Sequence, residues 1–352
     1  MRVSTRVILL LALLASLLSF AKFNYCAENN WQSPDQYVHA CYSDIPALYG
    51  ERGLDKGVWA YSSGAESVEY PVIQGAIMWA TAKVIPAGVN NYFYGSALLL
   101  ALLFIFISLL VFKMKPEFSY LLPLAPAAIA SMYINWDLWA IATMLLAIYW
   151  FDRKAELASA IALGIAISTK FLPVFLLIPI AIIFFRQEKM VKFVKYAAIT
   201  LTTFIAINLP VALTTPEGWW RFYDLNLHRD ADWGSLWYAL TIFDINLKQI
   251  NYFTILALLI GVAIVAIFLL QTEETLSLAS SALYIFIVVM AVGKVYSPQY
   301  VLWLTPLVLL AMKDLRDLRW FWFWQIAEIG YHLAIWQHLA KITDAQFGLG
   351  VE

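Results

Sequence analysis

The chain has 352 residues, 62% of them hydrophobic and 13% charged, with a formal net charge of -1 and a mean hydropathy of +0.72. A soluble domain carries about 25% charged residues, so this composition points to a polytopic membrane protein. It excludes nucleic-acid binding, which needs clustered Lys and Arg to neutralise phosphates.

Residues 7–23 form an apolar run behind Arg2 and Arg6, the pattern of either a cleaved signal peptide or a first membrane span. Either way the polar segment that follows, about residues 24–70, lies outside the cytoplasm. It holds Cys26 and Cys41, the only cysteines of the chain. Their spacing alone fits two unrelated thiols, whereas their shared place on the oxidising side favours a disulfide. The acids of this segment, Glu28, Asp35, Asp44, Glu51, Asp55, Glu66 and Glu69, read mostly as solvated charges. Asp44 differs, because Tyr42, Ile45, Pro46, Leu48 and Tyr49 surround it and predict a carboxylate packed down on the bundle.

Residues 71–88 have the look of a span, but a full crossing there reverses everything downstream, so an outer-face, partly inserted helix is expected. Apolar runs continue at about 93–112, 119–134, 137–151, 156–170, 172–185, 196–213, 251–270, 277–293, 300–312 and 320–338. Several fall short of the roughly 20 residues that cross a bilayer unaided, which predicts short helices packed inside a bundle. Lys and Arg gather in cytoplasmic loops. Lys113 and Lys115, Arg153 and Lys154, Arg186 to Lys195, and Lys313 to Arg319 therefore go inside with the N-terminus. The turns at 135–137, 169–173 and 293–300 and a second large loop, about 214–250, go outside, so the polar chemistry collects on one face. The sequence shows no internal repeat and no soluble domain, and residues 1–352 read as a single domain.

Ionisable residues at the membrane edge are functional candidates by default. Lys170 interrupts a long apolar stretch ahead of Pro173, and Lys294 ends another. Each fits a snorkelling anchor or, together with His228 and Arg229 on the same face, a site for a lipid phosphate. Asn135 and Asp137 flank a Trp in a tight turn, where capping of the next helix is their default role. The stretch Pro216 to Leu240 combines aromatic faces with His, Arg and Asp. That mixture suits a sugar, and it suits an interfacial aromatic loop equally. No Walker loop, His-Glu-x-x-His pair, Gly-x-Ser-x-Gly elbow or dinucleotide fingerprint occurs.

Taken in order, Ser43-Asp44 with Leu48-Tyr49, Glu69-Tyr70-Pro71, Asn135-x-Asp137, Lys170 with Pro173, Arg229 to Ser235, and Lys294 to Trp303 resemble the polyprenol-phosphate-dependent glycosyltransferases of the GT-C superfamily. Within it the chain is most similar to glycosyltransferase family 87, which includes actinobacterial mannosyltransferases. The resemblance runs along nearly the whole chain and departs at two points. Val72 stands where the family has a second Pro, and the chain ends at Glu352, earlier than the pattern.

The resemblance implies an all-α, GT-C-type bundle, here of about 11 transmembrane helices, with a long first extracytoplasmic loop and an extracytoplasmic active site in the cell membrane. It implies Asp44 as the catalytic residue, and a polyprenyl-phosphate donor carrying a sugar, with mannose expected. The acceptor is then a glycolipid or cell-envelope glycan. Lys170, Lys294, Arg229 and His228 would face the donor phosphate, and Glu69, Asn135, Asp137, Ser235, Tyr296 and Gln299 the substrates. Chemistry agrees: a polyprenyl phosphate leaves as a stable anion, so one carboxylate acting as general base suffices. Direct attack inverts the anomeric centre, unlike the two-carboxylate scheme of glycosidases. No cofactor is required, and a divalent metal is optional because fixed cations stabilise the departing charge. A transporter or flippase of lipid-linked sugars is the alternative, although such proteins are typically built from paired repeats.

Overall fold

The structure, a computed structural model, describes residues 4–245 and 249–343, and these contain helices and no strand. In chain order the helices are α1 (Thr5–Glu28), α2 (Asp35–Val38), α3 (Asp44–Glu51), α4 (Val72–Val84), α5 (Val89–Met114), α6 (Pro126–Ser131), α7 (Leu138–Asp152) and α8 (Glu156–Thr169). They continue with α9 (Leu177–Arg186), α10 (Met190–Thr214), α11 (Pro216–His228), α12 (Leu236–Ile242), α13 (Ile250–Gln271), α14 (Leu278–Val292), α15 (Val301–Ala311) and α16 (Asp317–Ile342).

Four of them, α1, α5, α10 and α13, are long and apolar enough to cross a membrane, which accords with a membrane protein. The shorter apolar helices include α7, α8, α14 and the stretch Leu172–Arg186. Helix α4 has 13 residues, or about 20 Å at 1.5 Å per residue, short of an unaided crossing. The run expected at 119–134 is not one helix. Pro123 and Pro126 deny it backbone donors, leaving a 3-10 turn at Ser119–Leu121 and a six-residue α6 with Pro126 in its first turn.

The chain forms two compact units, one from residues 1–60, 76–138 and 301–352, the other from 61–75 and 139–300. In the first, α1 lies along α5 and α16 lies against α2 and α6. Asn90 Nδ2 donates to the Ala27 carbonyl (3.0 Å) and its Oδ1 accepts from Trp31 Nε1 (2.9 Å). The C-terminal end of α1 is thereby pinned to the N-terminal end of α5. A disulfide joins Cys26, in the last turns of α1, to Cys41.

In the second unit α8 and α10 pack closely, because Gly164 has no Cβ; one there would meet Thr203 Cβ at 2.6 Å and the Thr200 carbonyl oxygen at 2.8 Å. A polar ladder runs down the seam. Ser159 and Tyr196 hydroxyls share a 2.8 Å hydrogen bond, Thr200 donates to the Ala160 carbonyl, and Asn208 Nδ2 donates to Ser168 Oγ. Such bonds register apolar helices where the hydrophobic effect cannot discriminate between faces. Arg186 closes the α13–α14 turn, donating to the carbonyls of Leu269 (2.7 Å) and Thr272 (2.6 Å).

Candidate functional site

Ser43 and Asp44 are fixed before any ligand is considered. Ser43 is an extended N-cap: its Oγ accepts from Ile45 N (3.2 Å) and donates to the Tyr133 carbonyl (2.7 Å). Asp44 N donates to the Ile134 carbonyl at 2.7 Å. The first turn of α3 is therefore docked on the strand of chain that leads into the 135–137 turn. A carboxylate in the first turn is also favoured by the helix dipole. Ile45 and Pro46 beyond it are buried, whereas Asp44 itself is half-buried.

The Tyr42 hydroxyl is hydrogen-bonded to the Asp44 carboxylate. That charge is the main reason the Tyr42 phenol is pushed up, with burial, Tyr37 and Glu51 adding to it, so Tyr42 keeps its proton and donates. Tyr37 is pushed up first by burial and then by Asp44 and Glu51. The Tyr37 and Tyr42 rings stack at 5.4 Å, and Trp336 of α16 lies 5.4 Å from Tyr42. The result is an oriented carboxylate beside an aromatic wall, with the disulfide three residues upstream.

Asn135 and Asp137 serve the turn. Asn135 Oδ1 accepts from Asp137 N (2.9 Å), Trp303 Nε1 donates to Asp137 Oδ2 (2.8 Å), and both residues are buried. They shape the platform on which Asp44 is docked.

One buried polar cluster in this unit escapes the motif reading. Lys22 Nζ of α1 donates to the Ala130 carbonyl (2.6 Å) and lies 2.9 Å from His332 Nε2 of α16. His332 Nε2 also accepts from Trp336 Nε1 at 3.2 Å, so the imidazole proton belongs on Nδ1. Gln325 Oε1 accepts from Ala127 N (3.2 Å), and Glu328 accepts from Trp324 Nε1 (2.9 Å). The signal was present: 325, 328, 332 and 336 fall on one face of a helix, and Lys22 interrupts the first apolar run.

The remaining sequence-nominated residues belong to the second unit. Lys170, the C-cap of α8, holds its Nζ 5.0 Å over the Tyr70 ring. Lys294 Nζ donates to the Asn226 carbonyl (3.0 Å), the Arg229 carbonyl (2.7 Å) and Asn251 Oδ1 (2.5 Å). Its three hydrogens are thus committed to protein acceptors. Burial, then Arg229, pulls its pKa below the ordinary lysine value, with Asp230 opposing. Arg229 pairs with Asp232 (2.7 Å) and exposed His228 with Asp224 (3.1 Å). Ser235 is buried and caps α12, accepting from Tyr238 N and donating to the Asp232 carbonyl. Lys294, Arg229, His228 and Ser235 thus hold the 226–238 stretch in shape. Tyr296 meets Tyr300 edge-on at 5.7 Å, Gln299 is buried, and Glu69 is half-buried.

Among the described residues no group of three or more His, Cys, Asp or Glu side chains is placed to hold a metal. No protein-family model matches the chain, and no curated protein matches it.

Proposed function

We propose that the protein is an inverting membrane glycosyltransferase that moves a sugar, mannose in the leading reading, from a polyprenyl phosphate to a hydroxyl of a glycolipid or cell-envelope glycan. The reading takes the chain as a multi-pass, GT-C-type bundle of about 11 spans, several of them short, with a cytoplasmic N-terminus and an extracytoplasmic site. Asp44 is the general base. It takes the acceptor's hydroxyl proton as that oxygen bonds to the anomeric carbon, and the carbon–oxygen bond to phosphate breaks with its electron pair leaving on the polyprenyl phosphate.

The observation that carries this reading is the Asp44 carboxylate itself: half-buried, oriented by Tyr42, and fixed by backbone bonds instead of being left on a mobile loop. Preorganisation of this kind is what a base needs and what a solvated loop charge lacks. In the second unit Lys294, Arg229 and His228 are committed to protein partners of the loop they share. Incubation of the purified protein with polyprenyl-phosphate mannose and a membrane extract, followed by mass spectrometry of the lipids, tests it. A product heavier than an extract lipid by one hexose is expected. Movement of intact donor across a vesicle membrane with no new product would indicate a transporter instead.

A further inference from the structure

Lys22 is the only charged residue between Val7 and Phe23 of α1. A lysine in an apolar helix usually runs its stem along the helix to put the ammonium in water. This one turns inward, onto two other elements of the first unit. Its Nζ donates to the Ala130 carbonyl near the end of α6 (2.6 Å) and stands 2.9 Å from His332 Nε2 of α16. His332 is 3% exposed, and the same Nε2 faces Trp336 Nε1 at 3.2 Å. An ammonium and an indole N–H are donors only. Nε2 therefore offers its lone pair to both, and the single imidazole proton sits on Nδ1, facing Ser131 Oγ at 3.4 Å.

Both supports of Asp44 meet at this lysine. On the α6 side, Ala130 is followed by Tyr133 and Ile134, whose carbonyls accept from Ser43 Oγ and Asp44 N. The Tyr133 hydroxyl returns to the Ser16 carbonyl of α1 at 3.1 Å. On the α16 side, His332 and Trp336 are four residues apart and share a face. The Trp336 ring lies 5.4 Å from Tyr42 and 6.2 Å from Tyr37, and Gln337 Nε2 donates to the Val38 carbonyl (3.0 Å). The χ2 torsion of a tryptophan is broad, so a hydrogen bond at Nε1 selects one pose of the ring against Tyr42. Tyr42 in turn is hydrogen-bonded to Asp44.

We infer that Lys22 and His332 are positioning residues for Asp44: they hold Trp336 against Tyr42, and so keep the Tyr42 hydroxyl on the carboxylate. As a catalytic device this tie rests on the reading of Asp44 as the base. As a positioning device it can be measured without turnover.

The test follows the Asp44 carboxyl of the full chain in detergent by infrared difference spectroscopy against pH, its band identified by loss in Asp44→Asn. Tyr42→Phe should raise the midpoint by about one pH unit. His332→Leu removes the acceptor, and Trp336→Phe removes the indole N–H while keeping a ring. Each should raise the midpoint by roughly half a unit, and each should add nothing in the Tyr42→Phe background, because the residues act through one partner. His332→Gln, whose amide oxygen still accepts, should bring the midpoint back towards the parent. Lys22→Met also removes a charge, so the part of its shift that vanishes in the Tyr42→Phe background is the positioning effect. Glu51 of α3, which acts on both tyrosines, is unchanged throughout. Trp336→Phe and His332→Gln keep the test open should His332→Leu fail to fold. Parental midpoints in His332→Leu and Trp336→Phe would overturn the tie, leaving only a packing role read as a lower melting temperature. Shifts of equal size with and without the Tyr42 hydroxyl would overturn it too. Midpoints that move as expected in a protein that transfers no hexose would uphold the tie and sink the glycosyltransferase reading, and hexose transfer with unmoved midpoints would do the reverse.

Discussion

At the scale of single residues, the proposed role of Asp44 predicts a tuning effect of its neighbour Tyr42. A hydrogen bond donated to a carboxylate favours its charged form, and the base in the proposed reaction must be charged to accept a proton. Tyr42→Phe removes the donor and keeps the ring that stacks on Tyr37 and Trp336. The carboxyl then holds its proton to higher pH, so the acid limb of the kcat/KM profile should move up by about one pH unit, equivalent to one hydrogen bond of about 1.4 kcal/mol. The melting temperature should change little. An acid limb at the parental pH would show that Tyr42 does not tune the base. Asp44 could be singled out from sequence because its apolar and aromatic neighbours announce packing, and the Cys26–Cys41 pairing because both thiols share one segment.

At the scale of elements, α11 depends on one missing side chain. Gly218→Ala places a methyl group on the Tyr61 carbonyl oxygen, and backbone on both sides leaves little room to relax. Overpacking of this kind costs about 1 to 3 kcal/mol, so the variant should melt at lower temperature and be cut sooner by protease between residues 214 and 235. Parental melting and cleavage would mean that α11 is not seated as described. Most apolar runs were legible as helices, as in α5, α8 and α13, and α10 stays continuous even with Pro210 inside it. The 119–134 run was not, because Pro123 and Pro126 outweigh its hydropathy. The 214–250 stretch reads as a loop by composition yet contains α11 and α12. Pro216 at the helix start and Ser235 as an N-cap were the signals of order, and the surrounding Trp, Asp and Gly obscured them. The Lys22–His332 cluster shows the reverse case: polar residues at helical spacing inside an apolar run, visible in sequence once the face is traced.

At the scale of the whole molecule, the basic loops predict an orientation that can be measured directly. The described residues contain no free cysteine, so a single introduced thiol labels without background. In intact cells Glu188→Cys should be shielded from an impermeant thiol reagent and Asp230→Cys should react, since positive charge is retained in the cytoplasm. The reverse pattern would invert the topology, and equal labelling would remove the charge argument. The central claim is that Asp44 is the base of a glycosyl transfer, and the most direct measurement is turnover, read as hexose-extended lipid by mass spectrometry, for the parent, Asp44→Asn and Asp35→Asn. Asparagine keeps the size of the side chain but cannot take up the acceptor's proton, so Asp44→Asn should lose about 10² to 10⁴ in rate at parental yield. Asp35→Asn, which removes an exposed partner of His39, should lose little. Near-parental turnover by Asp44→Asn would contradict the account.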